Sequence, residues 1–165
     1  HSVSTPHRFL GINHDGEVSV IHTRGNKHAH IVLRGGNKGS NYDAQSVAEC
    51  EAAMEKAGHE ANIMIDCSHA NSDKDHNRQR NVMQDVAQQI TAGNDSIIGF
   101  MVESNIEEGN QKLTDNLADL KYGVSITDAC VDWETTEAMV RELRDQVKEI
   151  LPERNKAKQE KRKVA

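Results

Sequence analysis

The sequence predicts an α/β fold in which parallel strands alternate with crossover helices. Short apolar runs rich in Ile and Val recur along the chain, longer segments between them have helical periodicity, and glycines follow the ends of those segments. The length of 165 residues corresponds to one domain or to part of one. Because only 3% of the residues are aromatic, the core must be built from smaller aliphatic side chains.

Four segments are predicted to be strands: Arg8 to Ile12, His30 to Leu33, Ala61 to Ile65 and Ser96 to Val102. Each is apolar on both faces, as expected of parallel strands covered by helices. The segment from His14 to Gly25 is ambiguous. Its HDG followed by the alternating EVSVIHT favours a hairpin, whereas β/α alternation would place a crossover helix there.

Three helices are predicted: Asp43 to Ala57, Asn77 to Ala92, and about Trp133 to Leu151. The first two stop at Gly58 and Gly93, in the position that favours glycine, and Pro152 lies just beyond the third. The charged segment ERNKAKQEKRKVA after Pro152 is predicted to be frayed or disordered. The chain is therefore divided into a folded region at residues 1–151 and a flexible tail at residues 152–165.

About four β/α units cannot close a barrel of eight strands, and an open parallel sheet would leave exposed edges. Either a preceding half supplies the missing strands, or a partner completes the fragment. A further alternative is a structural fragment in which two copies pair through their exposed edge strands.

Composition excludes several classes of protein. The net charge is -6 and the basic residues are dispersed until the tail, so a nucleic-acid-binding function is not expected. No apolar run approaches the length of a membrane helix, about 20 residues. Three cysteines without a CxxC pair fit a reducing, cytoplasmic location. The start, HSVSTPHRF, lacks the pattern of a signal peptide and has no initiator Met, so a cleaved or truncated chain is expected.

Polar residues follow the predicted strands, where barrels of this class gather their reactive groups. Arg34 comes directly after one strand and precedes two glycines, an arrangement that suits a bound phosphate or carboxylate. The alternative is an arginine paired with a carboxylate at a helix N-terminus.

His69 and Glu103 follow two further strands, and Asp128 lies in the loop before the last helix. Together they form an N/O ligand set suited to Mn, Fe, Co or Zn. Taken singly, each has a structural alternative: a hydrogen-bonded His, a Glu that caps a helix, and an Asp at an N-cap. Cys67 and Cys130 lie near this locus and are expected to be inert.

Five blocks of sequence carry a family resemblance: HRFLGIN, HIVLRGGNKGSNYD, MIDCSHANSDKD, IIGFMVESNIEEGNQ and KYGVSITDACVDWE. In order and spacing they resemble the C-terminal half of the microbial class I 3-deoxy-D-arabino-heptulosonate 7-phosphate (DAHP) synthases. The resemblance spans about Pro6 to Leu151. It implies that the chain is the C-terminal half of a (β/α)8 TIM barrel.

The resemblance also implies an activity. The family condenses phosphoenolpyruvate with erythrose 4-phosphate, the first step of aromatic amino-acid biosynthesis, with a divalent metal held by Cys, His, Glu and Asp. By motif, His69, Glu103 and Asp128 match three of these ligands, and Arg34 matches an arginine that binds the phosphate of phosphoenolpyruvate. His69 and Arg34 are the implied catalytic residues, and Asp128 is also an implied substrate-binding residue.

The family's metal-binding Cys, its Lys-Pro-Arg-Thr loop and other phosphate-binding basic residues belong to its N-terminal half. None of Cys50, Cys67 and Cys130 occupies the place of the ligand cysteine. The isolated chain is therefore expected to be inactive or nearly so, and to need the missing N-terminal half. The alternative function is a non-catalytic half-barrel that binds a metal or an effector.

Family members are usually inhibited by an aromatic amino acid bound away from the active site. Phe9 and Gly11 fall where members line that pocket. Gly11 resembles the tyrosine-sensitive type, since phenylalanine-sensitive members tend to carry Ser there. Tyrosine is thus the expected inhibitor, and a homo-oligomer is the expected assembly.

Overall fold

The computed structural model describes residues 2–26 and 28–164 and has the predicted α/β class. Its strands are β1 (Arg8–Ile12), β2 (Val18–His22), β3 (Ile31–Leu33), β4 (Ile63–Asp66) and β5 (Ile97–Met101). Its α-helices are α1 (Ala44–Lys56), α2 (Gln79–Thr91), α3 (Trp133–Val147) and α4 (Ile150–Val164). Short 3₁₀ turns lie in the connections, including one at His69–Ser72 directly after β4.

The strands β3, β4 and β5 form a parallel sheet in that order. Ile31 pairs with Ile63, and Ile63 pairs with Ile97. Because all three strands run the same way, their carboxyl ends meet at one edge of the sheet, and the residues that follow them are brought together. The apolar runs of the sequence predicted these three strands within two residues at each end.

The helices pack on one face of this sheet. Asp43 caps α1 by accepting hydrogen bonds from the main-chain N–H groups of Gln45 and Ser46. The core consists of fully buried apolar side chains from the sheet and from all of the first three helices, including Val47, Ile63, Ile65, Val82, Val86, Ile97 and Met139. The predicted helical stripes therefore supply the core.

The first predicted strand, Arg8 to Ile12, does not join the parallel sheet. As β1 it pairs antiparallel with β2, so the ambiguous segment forms a hairpin and not a crossover helix. The turn is set locally: Gly16 has φ 82°, and the Asn13 side chain accepts hydrogen bonds from two main-chain N–H groups of the turn. Leu10 is 74% exposed. The prediction of a strand covered on both faces was therefore wrong, and the parallel sheet has three strands rather than four.

The C-terminal segment also differs from the prediction. The helix predicted to reach Leu151 ends at Val147, and the charged segment continues as α4. Pro152 lies in the first turn of α4, where its missing N–H costs no helical hydrogen bond. The Lys, Arg, Glu, Gln and Ala residues that follow have high helix propensity, which explains a helix where low hydrophobicity suggested a tail.

The other face of the parallel sheet carries apolar side chains that no helix of the described residues covers. Val32 is 45% exposed and Ile98 is 46% exposed, although both lie in strands. Among the described residues, no helix has both the length and the apolarity needed to cross a membrane.

Candidate metal and anion site

His69, Glu103 and Asp128 converge at the carboxyl edge of the parallel sheet. One nitrogen or oxygen atom from each side chain lies within 4.8 Å of the others. His69 follows β4, Glu103 follows β5, and Asp128 comes from the loop before α3. The sequence predicted these three residues as one set, and the structure brings all of them together.

A buried carboxylate orients His69. Its Nδ1 lies 2.7 Å from Oδ2 of Asp66, the last residue of β4, which is only 2% exposed. The two atoms lie within ion-pair distance, although their angles are not those of a well-aligned hydrogen bond. Nδ1 is buried and has no other partner. Because Nδ1 faces Asp66, Nε2 faces the cluster, 3.7 Å from Oε1 of Glu103. Metal-binding histidines commonly have such a carboxylate on the second nitrogen.

Backbone conformation contributes to the position of His69. Its φ is 51°, in the left-handed region that non-glycine residues seldom adopt. Asp73 and Lys74 share this conformation at 54° and 61°. Three such residues in one short loop are typical of functional sites, where the surrounding structure maintains a costly conformation.

Glu103 is fixed by contacts from two sides. Its carboxylate accepts a hydrogen bond from Oγ of Ser68, the residue before His69. Its main-chain N–H and C=O both bind the amide of Gln79, at 2.8 Å and 3.0 Å. The alternative of a helix-capping glutamate finds no support, since Glu103 lies in an extended connection and caps no helix of the described residues.

Asp128 lies on a loop that is tied to the segment after Glu103. Asn110 donates a hydrogen bond to the main-chain oxygen of Thr127 at 2.9 Å, and a main-chain bridge joins Gly109 to Cys130. The N-cap of α3 is Asp132, so Asp128 is not the capping residue. The Asp128 side chain is exposed to solvent, and its carboxylate lies beside His69 and Glu103.

Arg34 lines the same cleft, which has a volume of about 270 Å³. No ion pair joins it to any residue that the structure describes, so the alternative of a structural ion pair is not supported. The loop is held by Gly35, whose N–H donates to Asn41, and Asn41 in turn donates to the buried Asn71. A Cβ atom at Gly35 would lie 2.7 Å from Cβ of Ala70.

Sequence reasoning missed two basic side chains in this cleft. Lys74 and His76 line it together with Arg34. They follow His69 by five and seven positions, and nothing in the local pattern of charges distinguished them from a solvated loop. The role of Asp66 was not predicted either. Its signal in the sequence is clearer than that of Lys74 and His76, because Asp66 is a carboxylate at the last position of an otherwise apolar strand.

The cysteines lie outside the cluster. Burial raises the pKa of the Cys67 thiol to about 12, with Asp66 adding to the shift, and burial also raises the pKa of Cys130. Both thiols are therefore protonated at neutral pH, in agreement with the expectation that they are inert.

Phe9 and Gly11 lie on the β1–β2 hairpin and not on the sheet that carries the cluster. Phe9 is 51% exposed. A Cβ atom at Gly11 would lie 2.9 Å from Cγ1 of Ile21, so a side chain at position 11 would displace Ile21, whereas it would meet Cε2 of Phe9 at an ordinary contact distance of 3.5 Å.

The donor set suits a divalent cation. One imidazole nitrogen and two carboxylates converge, and the imidazole is oriented by a buried partner. Uncompensated basic residues lie beside it, and these suit an anionic ligand. The fold and the site thus define an α/β protein with a cation-compatible cluster and a cleft lined by basic residues at the carboxyl edge of its sheet.

Comparison with known proteins identifies the family. A model of the DAHP synthetase I family matches residues 1–141, and the chain belongs to this family. It is 52% identical over 142 residues to the Tyr-sensitive phospho-2-dehydro-3-deoxyheptonate aldolase of Salmonella typhimurium, covering 86% of this chain and 40% of that protein. It is 48% identical over 153 residues to the Tyr-sensitive enzyme of Enterobacter agglomerans, covering 93% of this chain and 71% of that protein.

A solved structure is also similar. The phospho-2-dehydro-3-deoxyheptonate aldolase of Francisella tularensis superposes with a TM-score of 0.82 at 41% identity, covering 89% of this chain and 42% of that one. The chain thus spans about 40% of the length of the Tyr-sensitive relatives from Salmonella typhimurium and Escherichia coli. The family predicted from the sequence motifs is confirmed.

Proposed function

We propose that the natural polypeptide containing this chain is a DAHP synthase, and that the chain forms the C-terminal half of its (β/α)8 barrel. The observation that carries the proposal is the convergence of His69, Glu103 and Asp128 within 4.8 Å, in the same cleft as Arg34. Three parallel strands with an uncovered apolar face fit a segment of such a barrel.

His69, Glu103 and Asp128 would hold the divalent metal, which is Mn, Fe, Co or Zn by the chemistry of its ligands. When bound, the metal polarises the aldehyde carbonyl of erythrose 4-phosphate. Asp66 keeps Nε2 of His69 directed toward the cluster, and Ser68 holds the Glu103 carboxylate beside it.

Arg34 binds the phosphate of phosphoenolpyruvate, since a guanidinium without a carboxylate partner is free to make paired hydrogen bonds to it. Carbon 3 of phosphoenolpyruvate then forms a bond to the aldehyde carbon. Water adds at carbon 2, and phosphate leaves. Asp128, at the exposed side of the cluster, also contacts the substrate.

Regulation by an aromatic amino acid is part of the proposal. Phe9 and Gly11 would line a tyrosine site on the hairpin, outside the catalytic cleft. Two relatives named Tyr-sensitive, at 52% and 48% identity, support tyrosine as the inhibitor. A cytoplasmic homo-oligomer is the expected form of the enzyme.

The test is a synthase assay on the full natural polypeptide with phosphoenolpyruvate, erythrose 4-phosphate and Mn²⁺. We expect metal-dependent turnover that His69→Ala abolishes. His14→Ala is the matched control, because its side chain is 91% exposed in the hairpin turn, and activity should be retained. Mn²⁺ binding without turnover would favour the alternative of a non-catalytic module, and full activity of His69→Ala would remove His69 from the site.

A further inference from the structure

Gln79, the first residue of α2, has a fully buried side chain at 0% exposure. A buried amide is costly unless its donors and its acceptor are satisfied. Here both ends of the amide bind a single residue. Nε2 donates to the main-chain oxygen of Glu103 at 3.0 Å, and Oε1 accepts from the main-chain N–H of Glu103 at 2.8 Å.

The position of Glu103 explains why this contact matters. The strand β5 ends at Met101, and the last ladder hydrogen bond runs from the N–H of Cys67 to the oxygen of Met101. Glu103 therefore lies beyond the sheet. Its C=O also accepts a hydrogen bond from the N–H of Val131 at 3.0 Å. Its N–H donates to the Gln79 side chain.

Gln79 thus connects two ligand-bearing segments. It begins the helix that follows the His69 loop, and it binds the peptide group of Glu103 as a neighbouring strand would. Fixing both polar groups of one residue limits the rotation of its backbone and therefore the direction of its side chain. The Glu103 carboxylate is then held near His69 before any cation arrives.

We propose that Gln79 is a positioning residue for the cation site, and that it preorganises Glu103 through the backbone. This inference rests on the proposed function, because it requires the His69, Glu103 and Asp128 cluster to bind a cation. Gln79 itself touches neither the cation nor the substrate. Its removal should weaken cation binding in protein that remains folded.

The experiment is a calorimetric titration of the full natural polypeptide with Mn²⁺, using the variant Gln79→Met, which keeps the side-chain length without the amide. The matched control is Gln89→Met on the same helix, whose Nε2 donates to the main-chain oxygen of Tyr42 at 2.7 Å, away from the cluster. Circular dichroism would establish that each variant is folded.

We expect the Kd for Mn²⁺ to rise about tenfold or more in Gln79→Met, the range observed when outer-shell partners of metal sites are removed. Gln89→Met should keep the Kd of the wild type, even where its Tm falls. A Kd for Gln79→Met within about twofold of the wild-type value would overturn the inference and leave the proposed function intact. Absence of Mn²⁺ binding by the wild type would instead overturn the proposed function, and this inference with it.

A second variant covers the case in which Gln79→Met does not fold. Gln79→Glu has the same size and keeps an acceptor for the N–H of Glu103, but its carboxylate cannot donate to the C=O. It should also weaken Mn²⁺ binding, and a Kd equal to that of the wild type would contradict a positioning role. The kinetic signature is a higher Mn²⁺ requirement with little change in KM for phosphoenolpyruvate, since Arg34 is not affected.

Discussion

Replacement of Asp66 by Asn should disable His69 as a cation ligand without enlarging or emptying the site. Asp66 is 2% exposed, and its Oδ2 lies 2.7 Å from Nδ1 of His69. Its Oδ1 accepts a hydrogen bond from the N–H of Ser68 at 2.8 Å. The asparagine oxygen can keep the bond to Ser68, so the –NH₂ group is placed against Nδ1.

An –NH₂ group donates and does not accept. Nδ1 of His69 must then be the acceptor, and the imidazole proton moves to Nε2, the atom that faces Glu103. A protonated Nε2 cannot bind a cation. Loss of such an outer-shell carboxylate costs about 10- to 100-fold in metal affinity, which corresponds to about 1.4 to 2.8 kcal/mol.

The assay is a Mn²⁺ titration of the full natural polypeptide, with Asp73→Asn as the control. Asp73 is an exposed carboxylate of the same loop, and it pairs with Arg78 rather than with the cluster. We expect weaker binding for Asp66→Asn and unchanged binding for Asp73→Asn. Equal affinity of Asp66→Asn and the wild type would refute the argument that Asp66 sets the tautomer of His69.

Three further perturbations test the fold and its link to the site. Gly35→Ala should lower the free energy of unfolding by more than about 1 kcal/mol and raise the KM for phosphoenolpyruvate, because φ is 74° and the new Cβ would meet Ala70. Gly36→Ala is the control, because the space around its Cβ is open, and it should change neither quantity. Urea unfolding and steady-state assays measure the two effects. Ile65→Ala should lower the free energy of unfolding by about 2 to 5 kcal/mol, since Ile65 is fully buried, and a change below about 1 kcal/mol in urea titration would contradict its place in the core. Asp43→Ala should lower the free energy of unfolding by about 1 kcal/mol at pH 7, because it removes the N-cap of α1. Hydrogen bonds from Ser46 lower the pKa of Asp43 in the folded protein below 3.8, so this stabilisation is present above pH 3.8 and is lost as pH falls through the lower folded value. A difference in stability between variant and wild type that does not change with pH would disprove it.

The parallel sheet was predictable because each of its strands belongs to a short apolar run, and a polar residue, Arg34, Asp66 or Glu103, comes directly after that run. Ile63 and Ile65 alternate with residues that face the other side, and the periodicity of the helices was equally clear. Arg8 to Ile12 has the same composition but a different partner. The choice between a parallel and an antiparallel strand was made by the turn at Asn13 and Gly16, which local hydrophobicity does not report.

The C-terminal helix α4 was not predictable from its own sequence. Pro152 and a run of charged residues predicted the end of regular structure. However, proline is tolerated in a first helical turn, and Arg154 donates to the main-chain oxygen of Ile97 at 3.1 Å, which connects α4 to the start of β5. A tertiary contact of this kind has no signature in the segment itself.

His69 and Glu103 were predictable because parallel strands bring their carboxyl ends to one edge, and the family motifs selected these two residues and also Asp128, in the loop before α3. The supporting contacts were not. Gln79 and Asn71 act through hydrogen bonds to main-chain atoms distant in sequence, such as those of Glu103 and Leu33. Only the three-dimensional arrangement identifies which polar residues of the helices and loops serve the site.

His69, Glu103 and Asp128 are proposed to bind one divalent cation. The most direct measurement is anomalous X-ray diffraction at the manganese edge, on crystals of the full natural polypeptide soaked with Mn²⁺. We expect a single strong peak within bonding distance of Nε2 of His69 and of an oxygen from each carboxylate. A peak elsewhere in the molecule, or no peak at this cluster in metal-replete active enzyme, would contradict it.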